Sequence, residues 1–584
     1  AFNTAVGYQA GIAVSTGVRN TLIGALSGDA ITTGGDNVSL GYNSLSSNTI
    51  GNSNVAIGKD AMLTNVAADR NVAIGLGSLQ NMTSATTVDT YNTAIGYAAG
   101  TAVTTGVQNT VLGGRALQAN TVGADNVAIG YQALFTNVDG SRSVAIGTNA
   151  LLTQEPSSAT EMYNVAVGYN AGAAVTTGVN NTLIGAQTGD SLTTGARNTA
   201  VGFAALATEN AHGNNTAIGY AALNTLDANA EGYNVAVGSN SGKLMTSGIN
   251  NSLLGYNSGT SITTGSYNIA IGTSALSTED TGSRNIAIGH GALNNLNNNG
   301  DTYNVAIGYA AGIAMTTGTT NTIVGGLAGD ALTTGTNNVA IGYAALSSQQ
   351  TDGQNVAVGV GALQNQNVSG HGNNTAVGLQ AGNDVSTGTG NTILGCSAGD
   401  ALTTGSNNIL IGLGVAASAV DVSNTTVIGT ATTTNAVVHG LRTPLTSAAG
   451  NVAAARINNI HVFSDADGAI VTLPDSGDGS LVGASFDFAV TTAATSNLHK
   501  IVCTDTTNEV ILGALVMVDT DTSDAIVGMA AETDDSFSAV SFNGTTTGGR
   551  IGTKVKITNI AADKWFVEGT VLHSGDVATP FATS

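Results

Sequence analysis

The sequence predicts an all-β chain. Residues 1–440 read as a parallel β-solenoid of about 25 rungs, 441–448 as a linker, and 449–584 as a β-sandwich of jelly-roll-like character. Three observations carry this. A pentapeptide returns 25 times, from residues 3–7 (NTAVG) to 425–429 (TTVIG), at a step of 17 residues that lengthens to 19 or 21 at five joints. Its fifth residue is Gly and its fourth Val, Ile or Leu in every copy, and only Ser143 and Thr425 replace the leading Asn. Past residue 440 the period is gone and short alternating apolar and polar runs take over. A fixed period of this size marks stacked structural units.

Composition narrows the class further. Gly is 79 of 584 residues, Pro only 4, and charged residues 9%. That balance suits a regular backbone with many tight turns rather than a disordered chain. A 17-residue unit with Gly at its fifth position is also too short and too interrupted to sustain a helix. The net charge of −22 is without a basic stripe, which argues against a nucleic-acid partner. No apolar run is long enough to span a membrane as a helix, so membrane insertion is not expected. The pattern is already running at Ala1, which is not Met, so the lack of a targeting signal carries no weight. Cys396 and Cys503 are the only cysteines, and their positions neither require nor exclude a disulfide.

Each pentapeptide reads as a short strand ending in a turn. Positions two and four should face one side and position three, usually Ala, the other. Both sides are apolar, so one is expected to fill the coil and the other to pack on partner chains, most simply as a homotrimer. Position three becomes large at Leu22, Val111, Leu183, Leu253, Ile323 and Ile393, the last four spaced by 70 residues. This is the small–large alternation expected of interdigitating facing surfaces. The leading residues, Asn3, Asn20, Asn37, Asn54, Asn71, Asn92, Asn109, Asn126 and their successors, should stack as a structural amide ladder. The second half of each rung is expected to supply another short strand and a polar turn.

The five longer joints give loops at about 80–91, 152–163, 223–233, 293–303 and 363–373. They should protrude on one side of the rod. Tyr91, Tyr163, Tyr233 and Tyr303 close four of them, and the fifth carries His371; these are the candidate exposed contact residues. The competing reading is that the joints are spacers tolerated at a surface turn.

Beyond Pro444 the runs AIVTLP, FDFAVTT, KIVC, VSFNG and KVKITNI alternate as half-buried strands do. Trp565 and Phe566 are expected in the core of that unit.

The repeats NTAIGYAAG, NVAIGYQAL and NVAIGYAAL resemble the head repeats of trimeric autotransporter adhesins and, more closely, the 17-residue repeats of phage tail-fibre-like proteins. The end of the chain, KWFVEGTVLHSGDVATPFATS, loosely resembles the C-termini of marine phage virion structural proteins. The resemblance covers residues 1 to about 440. It implies a left-handed β-roll wound into a homotrimer. The implied function is a structural fibre, on the tail or capsid of a phage, that projects from the virion surface and mediates adhesion to a host receptor or glycan alongside other virion proteins. The alternative is a bacterial surface adhesin head fragment, although no heptad stalk or β-barrel anchor is present in this sequence. A glycan-degrading tailspike is the third reading.

Little in the sequence speaks for catalysis, and no enzyme activity, cofactor or metal is expected. The histidines, His212, His290, His371, His439, His461, His499 and His573, fall in no metal-ligand spacing. Asp29, Asp190, Asp330 and Asp400 recur in a GD[AS][IL]TTG turn about 19 Å apart, too far to share an ion and better read as turn residues bonding their own backbone. Asp465 and Asp467 in SDADG begin no EF-hand loop.

Overall fold

The computed structural model describes residues 2–430 except 352, and then 444–446, 450–451, 460–463, 470–476, 481–490, 499–503, 510–519, 527–530, 537, 539–542, 553–561, 563–573 and 580–582. The chain divides into two compact units, Ala1–Thr434 and Asn435–Ser584. Every regular element among the described residues is a β-strand.

In the first unit each pentapeptide places its middle three residues in a strand, and 25 such strands form one parallel sheet. Register is set by the repeat itself: Thr4, Ala5 and Val6 pair with Thr21, Leu22 and Ile23, and each later rung pairs with the next in the same way. Like residues therefore stack on like. At about 4.8 Å per strand the stack is roughly 115 Å long.

Position three points into the coil and is buried in nearly every rung, whereas positions two and four point outward and are half-exposed or exposed. Ala fits inside because the coil is narrow. Where position three is Leu22, Leu183, Leu253, Ile323 or Ile393, position nine of the same rung and of the rung before is Gly; the smaller Val111 has Gly100 in the rung before and Leu117 in its own. A Cβ on Gly259 would lie 2.9 Å from Leu253 Cδ2, and one on Gly242 2.8 Å from Leu253 Cδ1. Gly172 and Gly189 flank Leu183 in the same way, and Gly312 and Gly329 flank Ile323. In the intervening rungs Ala at position three meets Leu at position nine, as with Ala287 and Leu293, both fully buried. The four-rung alternation is thus volume exchange inside one chain. It does not arise from facing surfaces of partner chains, as the spacing of the large residues suggested.

The Gly ending each strand has a positive φ, +138° at Gly7, and a Cβ there would come within 2.5 Å of the Gly24 carbonyl oxygen. No L side chain fits that approach. The return half of the rung differs from expectation. It is a chain of turns with left-handed residues, and its backbone bonds run to the next rung, as in Gly28 N–H to the Ser44 carbonyl at 2.9 Å. Second strands are confined to two short pairs at the longer joints, Ala68–Asp69 with Val88–Asp89 and Gly140–Ser141 with Thr160–Glu161. A strand would need side chains alternating across a face, and the narrow coil leaves room only for corners.

The second unit holds two sheets. One has seven strands, in the order 444–446, 460–463, 485–490, 554–561, 564–573, 510–519, 527–530; the other has five, 450–451, 470–472, 499–502, 539–542, 581–582. Both are mixed: Val510–Asp519 runs parallel to Lys564–His573, while Lys554–Ala561 and Lys564–His573 form an antiparallel hairpin. Each of the five runs read as strands from the sequence contributes residues to these sheets. Residues of both sheets share one core, in which Trp565 is fully buried and its ring lies 5.9 Å from that of Phe486. Phe566 points the other way and is 38% exposed, a correction to its expected place in the core. Alternation along the strand forces this once Trp565 is inside.

Candidate functional site

The ladder residues are structural in a specific way. Asn20, Asn37, Asn54, Asn71, Asn92, Asn109 and Asn126 are fully buried, and Asn3 in the first rung is half-buried. Each side chain does two things. Asn20 Nδ2 donates to the Gly34 carbonyl at 2.9 Å, tying the start of its rung to its end. Its Oδ1 accepts the backbone N–H of Asn37 at 3.1 Å, tying that rung to the next. The pattern crosses four of the five longer joints, with Asn92 N–H bonded to Asn71 Oδ1 at 3.0 Å and Asn234 N–H to Asn215 Oδ1 at 3.2 Å. At Ser143 the side chain is too short to reach, and Gln154 fills in: its Nε2 donates to Ser143 Oγ at 3.0 Å and its Oε1 accepts from Asn164 Nδ2 at 3.0 Å.

Two outward surfaces remain as candidates. The first is the sheet face built from positions two, four and six. Position four is exposed at Ile23, Leu40, Leu112, Ile184, Leu254 and Leu394, among others. Beside it runs a column of exposed rings including Tyr8, Tyr97, Tyr131, Tyr169, Tyr309 and Tyr343, with Phe203 stacked on Tyr220 at 5.7 Å. A column of exposed aliphatic and aromatic side chains along the length of a sheet is the kind of surface that marks an interaction face.

The second is the corner where the five longer joints fall. From Arg19 onward, the residue just before each ladder position has a left-handed backbone, at φ between +49 and +67°. Many rungs place Asn there, which tolerates it cheaply, as at Asn180, Asn250 and Asn337. Four of the five joints place Tyr instead, against backbone preference, so the side chain is what the position selects. Tyr91, Tyr163, Tyr233 and Tyr303 are 47–56% exposed.

Three of these rings each belong to a triad of Arg, a carboxylate and Tyr. Arg142 Nη1 donates to Tyr163 OH at 2.6 Å and pairs with Glu161, and the hydroxyl donates to Glu161 Oε2 at 2.6 Å. Its guanidinium sits over the ring, 5.6 Å from the centroid. Arg70, Asp89 and Tyr91 repeat the arrangement, as do Arg284, Asp301 and Tyr303, where Tyr267 also lies against the guanidinium at 5.4 Å. At the third joint Asn214 replaces Arg and donates to Glu231 at 2.5 Å. The fifth keeps the backbone pairing, Gly353 with His371, and His371 is exposed. The joints therefore do not simply protrude. Their ends pair with the rung before, and the triads hold them down.

The arginines and acids of the triads were not singled out from the sequence. The available signal was their phase, since Arg70 and Arg142 stand 21 residues before their Tyr, and Arg284 stands 19 before, always ahead of a ladder residue. Asp29, Asp190 and Asp330 each accept their own and the following backbone N–H, and burial, against those bonds, pushes their carboxyls up. Among the described residues no three His, Cys, Asp or Glu side chains come together as a metal would require. Asp465 and Asp467 lie outside the described residues. Threonines of the TTG turns bond internally, Thr32 Oγ1 donating to the Thr49 carbonyl at 3.1 Å. Cys396 carries a free thiol, and no helix among the described residues is long and apolar enough to cross a membrane. Compared with known proteins, the chain matches no family model, no curated protein and no solved structure.

Proposed function

We propose that the chain is a structural fibre of a phage virion: a left-handed roll that assembles as a homotrimer, projects from the particle and contributes to adhesion at the host surface. The observation that carries this reading is the outward stripe at position four, Val, Ile or Leu in every rung and half-exposed or exposed, with Val or Ile at position two and Tyr, Phe or Leu at position six in many rungs. A partner able to cover it must carry the same period over the same length, and another copy of this chain is the one polymer certain to do so. Threefold closure buries the stripe and leaves the joint corners outward. The rod then acts by reach and stiffness, and the repeated Tyr stations, multiplied by three chains, supply many weak contacts of the kind that sum to avidity.

Sedimentation of the full chain at micromolar concentration tests the assembly; a monomer would sink the reading. Charged substitutions in the stripe, Leu254→Glu with Leu394→Glu, should dissociate the trimer. Labelled chain imaged on an intact particle, and adsorption of purified fibre to host cells, test the rest. Absence of the label from particles would refute the virion assignment.

A further inference from the structure

Two buried carboxyls belong neither to the stripe nor to the joints. The eleventh residue after each ladder Asn turns into the coil at a corner. It is aliphatic in some rungs, as at Leu192, Leu226, Ile262 and Leu296, and an amide in others, as at Asn48, Asn65 and Gln349, all fully buried. An amide suits the corner because it both accepts and donates. Asn48 Oδ1 accepts the Gly51 N–H at 3.0 Å, and its Nδ2 donates to the Gly51 carbonyl at 3.0 Å.

Glu209 and Glu279 occupy this same position, also fully buried. Their neighbours in the column are Leu192 and Leu226 for the first, Ile262 and Leu296 for the second. Glu279 Oε1 accepts from Gly282 N–H at 2.6 Å and Asn298 N–H at 3.4 Å. Its Oε2 is buried without a hydrogen-bond partner. Ionised, that oxygen is a charge in an apolar corner; protonated, the carboxyl can donate as the amides do. Glu209 is better served, with the N–H groups of Asn210, His212 and Ala228 and with His212 Nδ1 at 3.6 Å. The charges facing these groups are Asp280 beside Glu279, and Asp227 and His212 beside Glu209.

We propose that Glu209 and Glu279 make the rod proton-tightened: their rungs close fully when the two carboxyls are neutral and loosen when they ionise. Burial, the largest cause, pushes both carboxyls up, and Asp280 and Asp227 add to it; the backbone N–H bonds pull them back, as does His212 for Glu209. The sign follows. A raised value in the fold means stability fully present below the ordinary Glu value of about 4.3 and lost as pH rises through the raised one. Glu279, without a cation, should respond more than Glu209.

Hydrogen exchange on the full chain reads this locally. After correction for intrinsic rates, protection of the segment 279–298 should fall severalfold between pH 5 and 8. In Glu279→Gln it should stay flat. The equivalent segment 349–366, with Gln in the corner, should stay flat in both proteins. Equal loss in wild type and variant overturns the proposal, as does a variant already unprotected at pH 5. Glu279→Leu, which copies the neighbouring corners, should also abolish the dependence; if it keeps the wild-type profile the proposal fails. The inference does not rest on trimerisation or on what the rod binds.

Discussion

The two units of this chain solve the same problem in opposite ways. In the rod each strand of the long sheet is three residues long and pairs only with the rungs before and after. Its core is built of Ala, Leu, Ile, Val and Met with no aromatic ring. In the second unit strands reach ten residues, partners such as 485–490 and 554–561 are far apart in sequence, and the core centres on Trp565, Phe486, Phe488 and Phe581. The comparison teaches that repetition replaces bulk. A rod gains order from many identical neighbour contacts, and its stability should behave as a sum of local terms. Two mixed sheets that share one core should fail as a whole.

The sharpest test of that contrast is Trp565→Ala. Emptying the largest buried side chain should cost about 3–5 kcal/mol and unfold the second unit while the rod keeps its circular dichroism. Because Trp565 is the single Trp, a conservative variant at Phe486 can be followed by fluorescence alone as a report on that unit. Simultaneous loss of rod signal would show that the units are not independent.

Next in size is Leu253→Ala, at about 2–5 kcal/mol for an unfilled cavity. The rod makes a more specific prediction here. Adding Gly259→Leu copies the Ala–Leu rungs, where Leu276 sits at φ +52° against +55° for Gly259, so the double variant should recover most of the loss in thermal midpoint. If it is no more stable than Leu253→Ala, the volume-exchange account of the core is wrong.

Smaller still is Asn268→Ala. It removes the bond to the Gly282 carbonyl and strands the Asn285 N–H, each at 2.9 Å, for about 1–3 kcal/mol. Hydrogen exchange should show the damage in the two adjoining rungs and leave distant rungs protected. Uniform loss of protection along the rod would mean that it unfolds as one body after all.

Much of this was legible in the residues. Gly7 and its 24 counterparts announce a backbone approach that only Gly allows, the Asn column announces its own stacking, and the five longer steps locate the joints. These are local features repeated in phase, and repetition makes a local feature visible. The triads were less visible because Arg142 and Tyr163 meet across a rung boundary, 21 residues apart.

What the sequence by itself determined is therefore the period, the strand, the register and the places where the period breaks, since in-register stacking turns a repeat length directly into a pairing. What only the tertiary structure decided is which apolar side of the strand is inside. Ala and Val are both apolar, so hydrophobicity cannot orient the strand; the width of the coil does, admitting Ala at position three, or Leu where Gly makes room, and leaving Val, Ile and Tyr outside. The same closure decided that Glu209 and Glu279, unremarkable as letters, sit in the dry interior. Burial depends on what the coil encloses, and no residue carries that information alone.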